Sequence, residues 1–118
     1  MSVTHAQEGE LIHVRPLGEA LKVTKTRALA KTDYLEIIRL VLLAGKEIPI
    51  HFSPYPITIF CIEGCTTATV KGQSQEMTPG TLLFLSAGQP HAVVAKEDSS
   101  LLLTLMHPEQ SPSLEADN

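Results

Sequence analysis

Apolar and polar positions follow one another in short runs along the middle of the chain, a pattern typical of β-strands. Residues 57–62 and 66–70 are rich in β-branched side chains, and each run ends at a charged residue followed by glycine. The other predicted strands are residues 11–14, 21–29, 34–43, 82–85, 92–95 and 101–106. Short strands separated by glycine- and proline-containing turns, at intervals of about 8 to 12 residues, predict an all-β sandwich or barrel.

The two ends of the chain differ in composition from its middle. Residues 1–10 are polar, and residues 107–118 are rich in proline, serine and acidic side chains. Both ends are expected to be flexible, because they carry too few apolar groups to offset the entropy lost on ordering. Residues 11–106 are then expected to form one barrel domain. Within it, residues 19–30 allow a helix as the alternative to a strand, although their Val and Thr residues weaken it.

The predicted strand at residues 34–43 is apolar on both faces. One face of a sheet in a barrel or sandwich packs into the core, while the other face ordinarily meets water. A domain of this size cannot bury both faces by itself, so another surface must cover the outer one. A second copy of the chain is the simplest cover, and the pattern therefore predicts a homodimer.

Composition and charge narrow the range of functions. The chain has 118 residues, of which 43% are hydrophobic, and nine Lys and Arg against thirteen Asp and Glu give a net charge of −4. This acidic balance argues against nucleic-acid binding, which requires a basic surface. No apolar run approaches the length of a membrane helix, about 18 residues, and the polar N-terminus does not resemble a secretory signal. We therefore expect a cytoplasmic protein with reduced cysteines and no nucleic-acid or membrane partner.

Two of the five histidines, His51 and His91, fall beside glycine- and proline-containing turns at the ends of predicted strands. The surrounding segments resemble the two signatures of the cupin superfamily. The first signature is Gly, five residues, His-x-His, three or four residues, Glu, six residues and Gly, which residues 45–64 resemble. The second is Gly, five residues, Pro-x-Gly, two residues and His, which residues 80–91 match except that Ser86 replaces the proline. The resemblance implies a small single-domain, RmlC-like cupin, a double-stranded β-helix or jelly-roll barrel.

In the cupin superfamily, the two histidines and the glutamate (or glutamine) of the first signature and the histidine of the second hold one divalent metal ion. By this resemblance, His51 and His91 are ligands of a metal, which would be Fe, Zn, Ni or Mn. Ser53 stands at the position of the second histidine, and Ile57 or Thr58 stands at the position of the carboxylate. Metal sites in enzymes ordinarily use three protein ligands, so the resemblance implies an incomplete or altered site.

Strand alternation places Ile57, Ile59 and Cys61 on one face of their strand. If that face is the interior, Cys61 is either a buried packing residue or a pocket thiol that serves as ligand or nucleophile. Tyr55 lies in the bend after His51 and is expected at the rim of the pocket. The predicted pocket consists of His51, Ser53, Tyr55, Ile57, Ile59, Cys61, His91 and Val93.

These side chains describe a largely apolar interior with a small polar cluster at one end. Such a pocket suits a small, mostly apolar organic molecule held by a few hydrogen bonds. Sugar phosphates and dicarboxylates are not expected, because their recognition requires Arg or Lys inside the pocket. The sequence therefore favours a small-molecule binding protein. The alternative is a metal-dependent cupin enzyme of the oxygenase, isomerase or decarboxylase type, with an altered set of metal ligands.

Overall fold

The computed structural model describes residues 5–107, and β-strands make up most of its regular structure. A short 3-10 helix, Gly18–Val23, precedes the first strand, and no helix in the described range is long and apolar enough to cross a membrane. The strands are β1 Arg27–Lys31, β2 Leu35–Leu42, β3 Glu47–His51, β4 Ile57–Glu63, β5 Thr66–Val70, β6 Gln73–Met77, β7 Leu82–Leu85, β8 His91–Ala95 and β9 Ser99–Met106. The predicted all-β fold is confirmed.

The strands form two antiparallel sheets with a common core. The larger sheet has the order β1-β2-β9-β4-β7, and the smaller has the order β3-β8-β5-β6. Alternate residues of both sheets point inward, and Ile59 of β4, Ala68 of β5 and Val93 of β8 meet in one buried cluster. The last described strand, β9, pairs with β2 on one side and β4 on the other and therefore joins the two parts of the larger sheet.

Two predictions for the N-terminal part of the chain are wrong. Residues 11–14 do not form a strand, and Leu11 is 88% exposed. The strand predicted at residues 21–29 is a 3-10 helix as far as Val23, followed by β1 from Arg27. A β-prone run becomes a strand only where a neighbouring strand supplies hydrogen bonds, whereas the amide of Thr24 bonds locally to the carbonyl of Leu21 at 3.2 Å.

The division into a barrel at residues 11–106 with flexible ends stays a prediction. Residues 1–4 and 108–118 lie outside the described residues. Next to them, the amide of Ala6 donates to the carbonyl of Leu29 at 2.9 Å, and the amide of His107 donates to the carbonyl of Tyr34 at 2.7 Å.

A carboxylate at the end of β4 fastens the N-terminal segment to the larger sheet. Glu63 accepts hydrogen bonds from the amides of Leu17, at 3.0 and 3.1 Å, and Gly18, at 3.1 Å. The hydroxyl of Ser100 donates to Oε2 of Glu63 at 2.6 Å, and Nη1 of Arg39 lies 3.9 Å from the same oxygen. Burial opposes ionisation, but the hydrogen bonds and the guanidinium together hold the pKa of Glu63 below its ordinary value. We call these five residues the Glu63 clamp.

Arg39 lies on the outer face of β2 and is nevertheless only 6% exposed. Its Nη2 donates to the carbonyl of Arg15 at 3.0 Å, and its Nη1 donates to the hydroxyl of Ser100 at 3.2 Å. Burial lowers the pKa of Arg39, and the nearby charge of Glu63 opposes that shift. Part of the outer face of β2, for which the sequence predicts a second copy as cover, is therefore covered by the N-terminal segment of the same chain.

Gly64 makes the tight turn between β4 and β5. Its φ of +89° lies in the left-handed region, which residues with a side chain rarely adopt. A Cβ atom at this position would collide with the backbone of Asp98 and with Ser99. Both the dihedral angle and the close approach of the neighbouring strand therefore require glycine here.

Apolar side chains remain exposed on the outer face of the larger sheet, away from the N-terminal segment. Leu82 and Phe84 of β7 are each 64% exposed, and Met106 of β9 is 42% exposed. A groove of about 220 Å³ passes beside Phe84 and Met106 and is otherwise lined by Pro56 and residues of β4 and β9. We call Leu82, Phe84 and Met106 the outer apolar patch.

Candidate ligand-binding cavity

A cavity of about 180 Å³ lies between the two sheets. Alternate residues of β2, β3, β4, β8 and β9 form its wall, and apolar side chains dominate it. The apolar lining residues are Leu40, Ile48, Ile57, Ile59, Val93, Leu101, Leu103 and Leu105. The polar residues of the wall are His51, Ser53 and His91, and no Asp, Glu, Lys or Arg is found among the described residues that line it.

The two histidines of the cavity are direct cross-strand neighbours. His51 ends β3, His91 begins β8, and the register of the two antiparallel strands pairs them. Their ring centroids are 4.3 Å apart, and the ring planes are tilted by 55°. His91 is only 2% exposed, whereas His51 is exposed. The sheet therefore places one buried and one accessible imidazole side by side, and we call them the histidine pair.

Hydrogen bonds to the backbone fix the tautomer of both rings. Nδ1 of His51 lies 3.0 Å from the carbonyl oxygen of Pro49, and Nδ1 of His91 lies 3.0 Å from that of Gln89. A carbonyl oxygen only accepts, so Nδ1 must carry the proton in each ring. In the neutral imidazole, Nε2 on the other side of the ring is then a bare acceptor. The histidine pair thus offers two lone pairs.

Ser53 supplies the third polar group of the cavity wall and is hydrogen-bonded within its own bend and to the turn before β8. The amide of Tyr55 donates to Oγ of Ser53 at 3.2 Å, and the amide of Gly88 donates to the carbonyl of Ser53 at 2.7 Å. The second contact joins the bend after β3 to the turn before β8. No group within residues 5–107 accepts the hydroxyl proton of Ser53, which therefore remains available as a donor.

The structure brings together six of the eight residues predicted for the pocket, and Tyr55 and Cys61 are not among the lining residues. Cys61 shares the inward face of β4 with Ile57 and Ile59 but lies further along the strand, where the core is filled. It is 0% exposed, and its Sγ lies 3.6 Å from the carbonyl oxygen of Glu63. Burial, reinforced by nearby Cys65, raises the pKa of the Cys61 thiol. These contacts favour the packing alternative for Cys61, and Tyr55 stays half-buried in the bend.

Sequence reasoning missed the contribution of β9 to the cavity. Leu101, Leu103 and Leu105 of this strand alternate inward and lie opposite Cys61, Ile59 and Ile57 of β4. The alternation is present in the sequence, but Leu102 between them is also apolar and conceals it.

The donors of the cavity do not fit a divalent metal ion. No group of three or more His, Cys, Asp or Glu side chains within residues 5–107 is placed to hold one. The histidine pair supplies two nitrogens, and Ser53 supplies a neutral hydroxyl. At the position of the carboxylate, Ile57 is buried and apolar, and Thr58, the other residue that the spacing allows there, does not line the cavity. Among the other histidines, His13 bonds to the side chain of Arg15 instead. Two imidazoles and a hydroxyl leave the metal charge uncompensated.

Comparison with known proteins identifies the family. Residues 38–107 match the family Cupin_2, described as a cupin domain. The chain belongs to the cupin superfamily. The double-stranded barrel expected from the two sequence signatures is thereby confirmed, and no curated protein matches this cupin in sequence.

Solved structures with the same fold are distant in sequence. A conserved protein of unknown function from Streptococcus pyogenes is 23% identical with a TM-score of 0.70, covering 92% of this cupin and 97% of that chain. A cupin superfamily protein from Desulfitobacterium hafniense is 19% identical with a TM-score of 0.70, covering 86% and 98%. A salicylate 1,2-dioxygenase from Pseudoaminobacter salicylatoxidans is 13% identical with a TM-score of 0.66, covering 76% of this cupin and 28% of that chain. At these identities the likeness establishes the fold alone.

Proposed function

We propose that this cupin binds a small, mostly apolar organic molecule in the cavity between its sheets. The supporting observation is the composition of the wall, in which eight aliphatic side chains surround the histidine pair and Ser53. A cavity of about 150 Å³ is large enough for benzene. A volume of about 180 Å³ therefore suits a molecule with a single ring or a short branched chain.

Filling the cavity is the direct test of this function. The Leu103→Phe variant places extra bulk against the opposite wall, and we expect it to abolish the binding of small aromatic probes, measured by NMR titration. The Leu102→Phe variant is the matched control, because Leu102 alternates to the outer side of the same strand. Loss of binding in both variants, or in neither, would contradict the location of the site.

The alternative function, a metal-dependent enzyme of the oxygenase, isomerase or decarboxylase type, has one observation in its favour. Histidines that ligate metals commonly donate their other ring N–H to a carbonyl, as His51 and His91 do. A further ligand would then have to come from outside the cavity wall. We place this function second because the described wall supplies no anionic donor.

Metal content separates the two functions. The protein is purified without chelator or polyhistidine tag, loaded with Fe, Zn, Ni or Mn, and analysed by mass spectrometry beside the His51→Ala, His91→Ala double variant. We expect no stoichiometric metal in either protein. One metal ion per subunit in the parent and none in the double variant would overturn the metal-free site and support the alternative.

We further propose that the protein is a homodimer in which the outer apolar patch meets the same patch of a second copy. A two-fold symmetric dimer pairs the same surface of each subunit. The outer apolar patch of one copy can pack against the apolar groove and patch of the other. Light scattering should give twice the subunit mass of 12.8 kDa. The Leu82→Ser, Phe84→Ser double variant should be monomeric, whereas Val23→Ser, which changes an exposed apolar residue elsewhere, should not alter the mass. A monomeric parent would refute the dimer.

The cytoplasm is the compartment we propose for this cupin. Cys61 and Cys65 are separated by only three residues in sequence, yet both are free thiols. Free thiols are typical of a reducing compartment. Fractionation of cells that produce the protein tests the assignment, and recovery outside the cytoplasm would overturn it.

A further inference from the structure

We propose that the molecule bound in the cavity carries a neutral hydroxyl head group, of the phenol or alcohol class, which donates its proton to the histidine pair. This inference rests on the proposed function and adds to it the chemical class of the ligand. It follows from the tautomers of the two rings, from the single hydroxyl among the described wall residues, and from the lack of Asp, Glu, Lys and Arg side chains in that wall.

The tautomers of the two histidines determine whether the polar end of the cavity presents hydrogen-bond donors or acceptors. Each Nδ1–H is committed to a backbone carbonyl, of Pro49 for His51 and of Gln89 for His91, at 3.0 Å. Each Nε2 is therefore an acceptor, and the two rings lie side by side with centroids 4.3 Å apart. A ligand atom that reaches the histidine pair meets lone pairs and must itself bring a proton.

Ser53 supplies the hydrogen-bond donor that a ligand hydroxyl needs in addition to the acceptors of the histidine pair. Its Oγ accepts from the amide of Tyr55 at 3.2 Å and donates to no group within residues 5–107, so its own proton is available to a ligand. A ligand hydroxyl donates one hydrogen bond and accepts another, and it can thus pair with a histidine Nε2 and with the Ser53 hydroxyl. Ethers and ketones accept only, and would leave the ring nitrogen of buried His91 unpaired in a mostly apolar cavity. Leaving such groups unpaired weakens binding by about tenfold or more.

The head group must also be neutral. No Lys or Arg side chain lies among the described wall residues to balance an anion, and no Asp or Glu lies there to balance a cation. A carboxylate is excluded twice, because it is charged and because it brings acceptors to the two bare nitrogens. The remaining wall is aliphatic and accommodates the apolar body of the ligand.

Three probes of similar size test the head group: 4-methylphenol, 4-methylanisole and 4-methylbenzoate. Each is titrated at pH 8, where an ordinary histidine is neutral, and followed by NMR. We expect 4-methylphenol to bind at least about tenfold more tightly than either of the others. The His91→Phe variant should remove most of that preference, and His13→Phe, outside the cavity, should retain it. Equal binding of the phenol and the anisole would overturn the head-group class and leave the proposed function standing. Binding of no probe would overturn both.

A second measurement reads the tautomers without a ligand. Long-range proton–nitrogen NMR correlations distinguish a ring protonated at Nδ1 from one protonated at Nε2. We expect the Nδ1–H form for both His51 and His91 at pH 8. Protonation at Nε2 in either ring would place a donor at the polar end of the cavity and overturn the proposal, even if the His91→Phe variant does not fold.

Discussion

The Glu63 clamp makes a quantitative prediction about stability. In the Glu63→Gln variant, the amide oxygen can still accept from Leu17 and Gly18, but the NH₂ group faces Ser100 and Arg39. The variant also leaves the buried Arg39 guanidinium without its counter-ion. The substitution therefore removes the strongest part of the clamp while it retains the shape of the side chain.

The size of the loss follows from the contacts. Hydrogen bonds to charged groups contribute about 1.5–3 kcal/mol, and breaking a buried ion pair costs about 3–5 kcal/mol. The Glu63 side chain keeps 14% exposure, and its nearest distance to Arg39 is 3.9 Å, so we expect a value below the buried-pair range. We predict that Glu63→Gln lowers the free energy of unfolding by about 2–3 kcal/mol and the melting temperature by about 10 °C.

The assay is urea unfolding followed by circular dichroism, and the matched control is Glu76→Gln. Glu76 pairs with Lys96, and the two side chains are about half exposed, at 53% and 51%. Exposed pairs are screened by solvent and contribute little to stability, so the control should lose far less than Glu63→Gln. Equal losses in the two variants, or a loss below about 0.5 kcal/mol for Glu63→Gln, would refute the clamp as a stabilising contact.

The lowered pKa of Glu63 sets the direction of a pH effect. A carboxylate whose folded pKa is depressed contributes fully above the ordinary glutamate pKa of about 4.3, and its contribution is lost as the pH falls through the lowered value. The gap in stability between the parent and Glu63→Gln should therefore be constant at neutral pH and shrink under acid. A gap that persists to the lowest pH at which the parent folds contradicts this account.

Three other expectations concern backbone, core and thiols. Gly64→Ala should lower the free energy of unfolding by about 3 kcal/mol or more, because the new Cβ collides with neighbouring atoms. Gly72→Ala is the control and should cost only about 1 kcal/mol, because the space around Gly72 is open. Similar unfolding midpoints for the two variants would contradict this expectation. The hydroxyl of buried Thr66 makes no hydrogen bond within the described structure. Thr66→Val should therefore leave the free energy of unfolding unchanged or raise it by about 1 kcal/mol, measured by urea unfolding. A clear loss of stability would contradict this expectation and show that the hydroxyl has a hydrogen-bond partner. A thiol reagent should label Cys65 in the native protein and Cys61 only on unfolding; equal rates would refute the burial of Cys61.

The sequence predicts strands well where both a partner and a core face are available. Residues 66–70 and 82–85 are predicted with the bounds that the structure shows, because β-branched or aliphatic residues end at glycine or proline turns. The two edge strands of the smaller sheet, β3 and β6, are missed. β3 contains Pro49 and β6 is polar, and an edge strand needs neither alternation nor full burial because one side meets solvent.

Part of the cavity lining could be predicted from the sequence, but its chemistry could not. The two signatures locate His51 and His91, and alternation locates Ile57 and Ile59. The tautomer of each ring depends on the carbonyl group two residues earlier in the chain, and the direction of that carbonyl is a property of the folded backbone. Glu63 is a comparable case, since its partners are 46 and 37 residues away and its role in the clamp follows only from the assembled fold.

The position of β9 has a consequence for how the protein is made on the ribosome. This strand is the last of the nine described strands to be synthesised, yet it lies in the middle of the larger sheet, between β2 and β4. Until Met106 has left the exit tunnel, both neighbours present unpaired backbone edges and apolar side chains that can associate with other nascent chains. Completion of this barrel therefore waits for the synthesis of β9, and truncation before this strand should produce aggregates in place of a partly folded domain.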